Sequence, residues 1–122
     1  MSKHHHLPAT LETVAWGFFD AAQKPALTVD SGDTISVDTM TAGETADTPR
    51  DATRIRPDHR LLLENAVRGP GPHPVNGPIY VRGAEVGDVL QIDILDIQPN
   101  QDWGFCAIQP LVGTLPEEFT DY

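Results

Sequence analysis

A histidine held between two prolines is the residue of this sequence best suited to chemistry. His73 lies within residues 69–78, where glycine and proline are so dense that neither a helix nor a strand is expected to continue. The flanking prolines restrict the backbone, so the imidazole has little freedom. Such a ring can bind a metal or move protons near neutral pH. The alternative is a ring that only hydrogen-bonds to the backbone.

A metal bound by histidine and carboxylates, with one position open to water, could drive hydrolysis by lowering the pKa of that water. The sequence contains no nucleotide-binding loop, no closely spaced Cys or His zinc pair and no Gly-x-Ser-x-Gly elbow. His4, His5 and His6 could bind metal loosely. Three consecutive histidines also occur in affinity tags, but no linker follows them here.

Cys106 is the only cysteine, so a disulfide within the chain is excluded. Its position in the apolar run 104–108 predicts a buried, unreactive thiol. A single cysteine fits a reducing compartment, and the chain has no long apolar segment and no secretion signal. These features predict a cytoplasmic protein.

The elements that would position His73 are mostly strands. Residues 26–29 and 34–39 alternate apolar and polar positions around a turn at 30–33, which predicts a β-hairpin. Residues 78–81 predict a short strand, and residues 89–97 predict the longest strand of the chain. An extended opening is expected to end in an aromatic group that belongs to the core, or alternatively to a binding pocket: Trp16, Phe18 and Phe19.

One short helix is predicted over residues 58–67, with Asp58 as its N-terminal cap and Gly69 at its end. Residues 41–57 lack apolar periodicity and predict an exposed, mobile loop. Residues 31–38 resemble residues 86–93, either as a true repeat or as recurrent hairpin chemistry. We therefore predict a single domain over residues 1–122 that is mainly β, a hairpin-built β-sandwich or barrel with one short helix.

The charge of the chain excludes several classes of partner. Eight basic residues face 18 acidic ones, for a formal net charge of −10. Nucleic acids and anionic membranes attract basic surfaces, so neither is an expected partner. An acidic surface of this kind is most often a solubility feature.

Seven segments spread over nearly the whole chain resemble the N-terminal part of the acetamidase/formamidase family. They contain the Pro-Ala-Thr-x-Glu-Thr-Val-x-Trp-Gly run, the Gly-Pro-Gly-Pro-His loop and the Gly-Pro-Ile-Tyr-Val-Arg-Gly-Ala-Glu run. The segments are residues 5–17, 20–21, 27–34, 69–73, 77–85, 87–90 and 101–104. The resemblance also makes the N-terminal histidines look native.

The resemblance implies a mainly β fold, self-association and hydrolysis of short linear amides, such as formamide or acetamide, to a carboxylate and ammonia. It implies a divalent metal, with zinc as the first candidate, in or near the site. His73 is the candidate metal or substrate contact, and Glu64 and Asp20 are candidate catalytic carboxylates, for each of which the alternative is a solvated surface group. Trp16, Gly71 and Pro72 are the candidate substrate-binding residues.

This sequence departs from the family in its later half. Family members are longer and carry Asp-x-His-Ala and Gly-Asp-Gly-Glu types of motif that this chain lacks. The resemblance therefore implies an amidase domain that is incomplete without a C-terminal half, supplied by a longer natural chain, a second polypeptide or an oligomer. The alternatives are a β-domain that binds a small ligand or metal without turnover, and a β-domain that serves only in assembly.

Overall fold

Six short strands and one α-helix make up the regular structure of this chain, which is seen in a computed structural model that describes residues 2–107 and 110–118. The elements are β1 (His4–Leu7), β2 (Val14–Trp16), β3 (Leu27–Val29), β4 (Thr34–Val37), α1 (Pro57–Asn65), β5 (Pro74–Asn76) and β6 (Ile79–Val81). The mainly β prediction with one helix is confirmed. Helix α1 has nine residues, and no helix in the described ranges is long and apolar enough to cross a membrane.

The strands pair two by two. β1 pairs in parallel with β4, β2 pairs antiparallel with β5, and β3 pairs in parallel with β6. Across residues 2–107 and 110–118 these pairs do not close into a barrel. The sandwich stays a prediction.

The predicted hairpin over residues 26–39 is wrong. Its turn forms, because the Asp33 amide donates to the Asp30 carbonyl at 3.1 Å, but the two strands that follow and precede it do not pair with each other. The N-terminal strand β1 takes the edge of β4, where the Thr34 amide donates to the Lys3 carbonyl at 2.9 Å. Strand β6 takes the edge of β3, so both hairpin edges are occupied by partners that are distant in sequence.

A second difference lies in the glycine- and proline-rich segment, where no strand was expected. Pro74–Asn76 forms β5 and pairs with β2. Pro74 is the first residue of the strand, a position at which the missing N–H of proline is tolerated. The predicted strand at 89–97 is also wrong, since these residues form no strand and are exposed.

Helix α1 begins at Pro57, one residue earlier than predicted, and ends at Asn65. Pro57 suits the first turn because its missing N–H has no helical partner there. Asp58 is not the cap but lies within the first turn, where its carboxylate accepts the His59 amide at 2.9 Å. The predicted loop 41–57 contains two short 3₁₀ helices, Thr45–Asp47 and Ala52–Arg54, and its mobility stays a prediction.

The small core lies where α1 meets the segment that leads into β2. Ala9, Trp16 and Leu62 are buried together, with Val14, Met40, Leu63 and Ala66 packed against them. The prediction that the aromatic group is core holds for Trp16, which is 1% exposed, but is wrong for Phe19, which is 91% exposed. Cys106 is exposed rather than buried, so the prediction of a buried thiol is wrong.

The N-terminal histidines are part of the fold, since each ring contacts the segment that contains β4. The Nε2 atoms of His5 and His6 lie 2.8 and 2.9 Å from carboxylate oxygens of Asp33 and Asp38. His4 Nε2 lies 3.1 Å from the Ser36 hydroxyl. These contacts join β1 to β4 in addition to the backbone pairing.

Acid should weaken this junction through Asp33, whose carboxylate accepts from the Lys3 amide, the Asp30 amide and His5 Nε2. These hydrogen bonds, the one from Lys3 foremost, hold the pKa of Asp33 well below its usual 3.8. A depressed folded-state pKa stabilises the fold above the unfolded-state value and loses that contribution as the pH falls below it. We expect the free energy of unfolding to decrease below about pH 4.

The measurement is a series of urea denaturations between pH 7 and pH 2.5. Asp33→Asn should destabilise the protein at pH 7 and flatten the acid limb, whereas Asp93→Asn, at an exposed position, should leave the curve unchanged. An acid limb of full size in Asp33→Asn would contradict the assignment.

Candidate functional site

The loop that carries His73 is held by the end of β2. The Gly69 amide donates to the Trp16 carbonyl at 2.7 Å, and the Gly71 amide donates to the Gly17 carbonyl at 3.0 Å. The Gly17 amide donates in turn to the His73 carbonyl at 2.9 Å. These bonds fix the backbone of the loop residue by residue, so its shape is defined before any ligand binds.

Glycine is required where these two segments meet. Gly17 has φ +84°, and a Cβ atom there would lie 2.4 Å from the Gly71 carbonyl oxygen and 2.9 Å from Gly69. Backbone atoms cannot yield in the way that a flexible side chain can. The contact between β2 and the loop is therefore as close as the backbone allows.

Trp16 lies beneath this loop and is bonded to it. Its Nε1 donates to the Pro72 carbonyl at 3.1 Å, and the Arg68 guanidinium lies 4.2 Å from the centre of the ring, a cation–π contact. Arg68 also forms an ion pair with Glu44 at 2.7 Å and donates to the Leu63 carbonyl. The same arginine thus joins the loop, helix α1 and the segment before the first 3₁₀ helix.

The predicted loop residues come together, but their side chains differ in accessibility. Trp16 is buried, Gly71 is half-buried, and Pro72 and His73 are exposed. Residues 2–107 and 110–118 contain no hydrogen-bond partner for the His73 ring. His73 therefore presents its imidazole to solvent from a rigid backbone, whereas Trp16 supports the loop from within.

The two candidate catalytic carboxylates lie apart from the loop. Glu64 is exposed on α1, and Asp20 is exposed in a turn, where its carboxylate accepts the Ala22 amide at 2.8 Å. Neither is joined by a hydrogen bond or an ion pair to loop residues 69–73 in the described structure. Their catalytic role stays a prediction.

A metal site is not complete in this part of the chain. No group of three or more His, Cys, Asp or Glu side chains in the described residues is arranged to hold a metal ion. His73 could supply one ligand, but a stable site needs at least three protein ligands. The described residues alone do not fit a bound divalent metal.

Two adjacent clefts lie beside β2. Their volumes are about 260 Å³ and about 210 Å³, and both are lined by Leu11, Val14, Ala15 and Gln23. The first also borders Gly77 and Pro78, which lie just beyond β5. Phe18, for which a binding pocket is the alternative role, lines the second cleft. Trp16, Asp20, Glu64 and residues 71–73 line neither cleft.

The comparison with protein families decides what this loop belongs to. The model of the Acetamidase/Formamidase family matches residues 20–122, most of the chain. The chain belongs to the acetamidase/formamidase family.

Two curated relatives share part of the sequence. A protein of Schizosaccharomyces pombe named "Putative formamidase" is 50% identical over 38 residues, which cover 30% of this chain and 9% of the relative. An acetamidase of Mycolicibacterium smegmatis is 44% identical over 45 residues, which cover 30% of this chain and 11% of the relative. The aligned part is thus about a tenth of each relative. No solved structure matches the chain.

The acetamidase/formamidase match contains most of the candidate site but not all of it. Asp20, Glu64, Gly71, Pro72 and His73 lie inside residues 20–122, while Trp16 lies before the matched range. Sequence reasoning missed Arg68 and Glu44, whose ion pair covers Trp16. The only signal available was the position of Arg68 directly before the first glycine of the loop.

His59 is a buried polar residue that the sequence analysis did not single out. Its side chain is on the buried face of α1 at 2% exposure, its Nδ1 has no hydrogen-bond partner, and its ring stacks on Trp103 at 6.0 Å between centres. Burial lowers the pKa of His59 below the usual 6.5, the charge of Asp58 opposes this shift, and Arg56 adds to it. The folded state therefore favours the neutral ring.

Replacing His59 with phenylalanine should raise the free energy of unfolding by about 1 kcal/mol, because the ring against Trp103 is kept and an unpaired buried nitrogen is removed. The wild type should also lose stability as the pH falls below about 6.5, since the unfolded state binds the proton first. That loss should be absent from His59→Phe and present in His4→Ala. Urea denaturation at pH 7.5 and pH 5.5 measures both effects. An equal change in the free energy of unfolding between these pH values in all three proteins would contradict the assignment.

Proposed function

We propose that this chain is the N-terminal part of an enzyme that hydrolyses short linear amides to a carboxylate and ammonia, and that it acts together with a C-terminal part. The family match over residues 20–122 carries this proposal. The names of the two relatives, a formamidase and an acetamidase, support formamide and acetamide as the first substrates to test. The small fraction of each relative that is aligned supports the need for further sequence.

The chemistry requires four actions. A base removes a proton from water, the water oxygen bonds to the amide carbon, donors stabilise the developing oxyanion, and an acid protonates the nitrogen as the C–N bond breaks. We assign the rigid loop, with Gly71 and Pro72, to one wall of the substrate site, supported from below by Trp16. His73 is the candidate substrate contact on that wall, because its exposed ring stands on a backbone fixed by Gly17.

Glu64 and Asp20 are the proposed carboxylates of the site. Both are exposed and free of ion pairs in the described structure, so each is accessible to a second polypeptide or to substrate. A divalent metal, zinc first, remains part of the proposal only if further ligands come from elsewhere. We therefore assign no step to it.

The experiment is ammonia release from formamide and acetamide by the purified chain. The chain is assayed after metal depletion and after zinc addition, alone and with the separately expressed part of the M. smegmatis acetamidase that follows its aligned segment. Activity only in the mixture is the expected result. His73→Ala should then lower kcat/KM by about 10- to 100-fold, the loss expected for one contact with the substrate, whereas His4→Ala, at an exposed position of β1, should not.

Other outcomes would replace the proposal. Turnover by the chain alone would show that no second part is required. Stabilisation of the chain by an amide or by zinc in a thermal melt, with no turnover in any mixture, would favour a ligand-binding domain. A folded chain that associates with itself, binds neither an amide nor zinc and shows no turnover would favour an assembly domain.

A further inference from the structure

Residues 89–97, here called the arm, form no strand and pair with no other described segment. Their backbone groups make no hydrogen bond to another described residue. Gln91 bonds to Asp93 at 3.0 Å and Gln98 bonds to Asp96 at 2.7 Å, each two positions apart, as side chains on one face of an extended chain do. This spacing is what an extended segment gives, and the free backbone groups leave the arm available to pair as a strand.

Both ends of the arm are attached to the folded body. Before it, the Arg82 amide donates to the Val29 carbonyl at 2.9 Å, which fixes the end of β6 before the chain turns at residues 85–88. After it, Gln101 donates to the Thr41 hydroxyl at 2.6 Å, and Trp103 Nε1 donates to the Arg54 carbonyl at 3.0 Å. The arm is thus presented between two fixed points rather than as a free tail.

The arm carries apolar side chains on both faces. Leu90, Ile92 and Ile94 alternate on one face and Val89, Leu95 and Ile97 on the other, with between 65% and 94% of each side chain exposed. A strand that is apolar on both faces is typical of the interior of a sheet that is covered on both sides. Exposed with a free edge, it is a template for addition of a strand from another chain.

Charge distinguishes the partners that could fill this edge. In an antiparallel pair of two copies centred on the arm, Asp93 would lie opposite Asp93, and like charges directly opposite are destabilising. Two copies would also each bring a net charge of −10. Asp93 and Asp96 instead suit a strand that places lysine or arginine opposite them.

We infer that the arm is the docking edge for the C-terminal part of the amidase, which adds a strand with apolar residues on both faces and basic residues opposite Asp93 and Asp96. This inference rests on the proposed function for the identity of the partner. The short aligned share of the relatives, 9% and 11% of their lengths, leaves most of an amidase chain outside this one. Strand addition to the arm would join the two parts by main-chain hydrogen bonds.

The test uses the full chain and the part of the M. smegmatis acetamidase that follows its aligned segment. Hydrogen exchange at residues 89–97 should slow on mixing, and titration calorimetry gives the Kd. Ile92→Asp and Ile94→Asp should each weaken binding by about 10- to 100-fold, the range expected for one buried apolar side chain. Val112→Asp, at an exposed apolar position outside the arm, is the control.

Asp93→Lys tests the charge argument, because it should weaken binding at low salt and reduce the salt dependence of Kd. Thermal melts of the chain alone should be unchanged in all four variants, since the arm contributes nothing to the core. Binding and turnover without slowed exchange in the arm would overturn this inference and leave the proposed function standing. Slowed exchange in the arm and tight binding without turnover would support this inference and overturn the proposed function.

Two further results would overturn the inference. One is exchange that slows in the arm of the chain alone as its concentration rises, which would identify a second copy as the occupant. The other is the absence of any binding to the acetamidase part by a folded chain.

Discussion

Replacing Trp16 with alanine should lower the free energy of unfolding by about 3–5 kcal/mol. The indole is 1% exposed and packs with Ala9 and Leu62 at the centre of the small core. Its loss also leaves the Pro72 carbonyl without its donor and Arg68 without the ring beneath it. A domain of this size has only about 5–15 kcal/mol of stability, so the variant should be partly unfolded at room temperature.

Urea denaturation followed by far-ultraviolet circular dichroism measures this effect, because the remaining Trp103 would report on another region. Phe19→Ala is the matched control, since that ring is 91% exposed and its removal should change stability by about 0.5 kcal/mol or less. Trp16→Phe should fall between the two. If Trp16→Ala unfolded at the same urea concentration as Phe19→Ala, the assignment of the core to this residue would be wrong.

The positions of the strands are predicted from the sequence more accurately than the pairing between strands. Strands β3, β4 and β6 lie where the alternation of apolar residues predicts them, because that alternation reports on the two faces of one strand. The partner of a strand is set by contacts between distant segments. The turn at residues 30–33 therefore predicts a hairpin, while β1 and β6 occupy the edges in the structure.

The arm is a second case in which the local pattern does not determine strand pairing. Its pattern predicts the longest strand, but no described segment pairs with residues 89–97. An alternating apolar pattern indicates which residues would be buried in a sheet, but they become buried only if another segment packs against them. Phe19 and Cys106 are also exposed, although their apolar sequence context predicts burial.

The candidate site was predictable in the part that is contiguous in sequence. Gly71, Pro72 and His73 stand in one motif, and the structure places Trp16 against that motif through a hydrogen bond to Pro72. The ion pair between Arg68 and Glu44 could not be predicted, because it joins residues whose proximity depends on how α1 packs. Glu64 and Asp20 have the residue type that the chemistry needs, but nothing in the sequence places either one beside the loop, and neither bonds to residues 69–73 in the described structure.

Gly17→Ala should cost about 2–5 kcal/mol, for two separable reasons. An alanine at φ +84° has a left-handed backbone that costs about 1–2 kcal/mol. Its Cβ would also lie 2.4 Å from the Gly71 carbonyl oxygen, and such overpacking costs about 1–3 kcal/mol more. Relief of the clash must move the loop that carries His73, so activity in the two-part ammonia assay should fall together with stability.

Gly32→Ala separates the two reasons. Gly32 has nearly the same backbone, at φ +87°, but no atom within 4 Å of an added Cβ, so it should lose only the left-handed cost of about 1–2 kcal/mol and keep its activity. The difference between the two urea curves then measures the close approach of β2 to the loop. Equal losses in both variants would mean that the loop yields freely, and a loop that yields could not hold His73 in the fixed position that the proposed site requires.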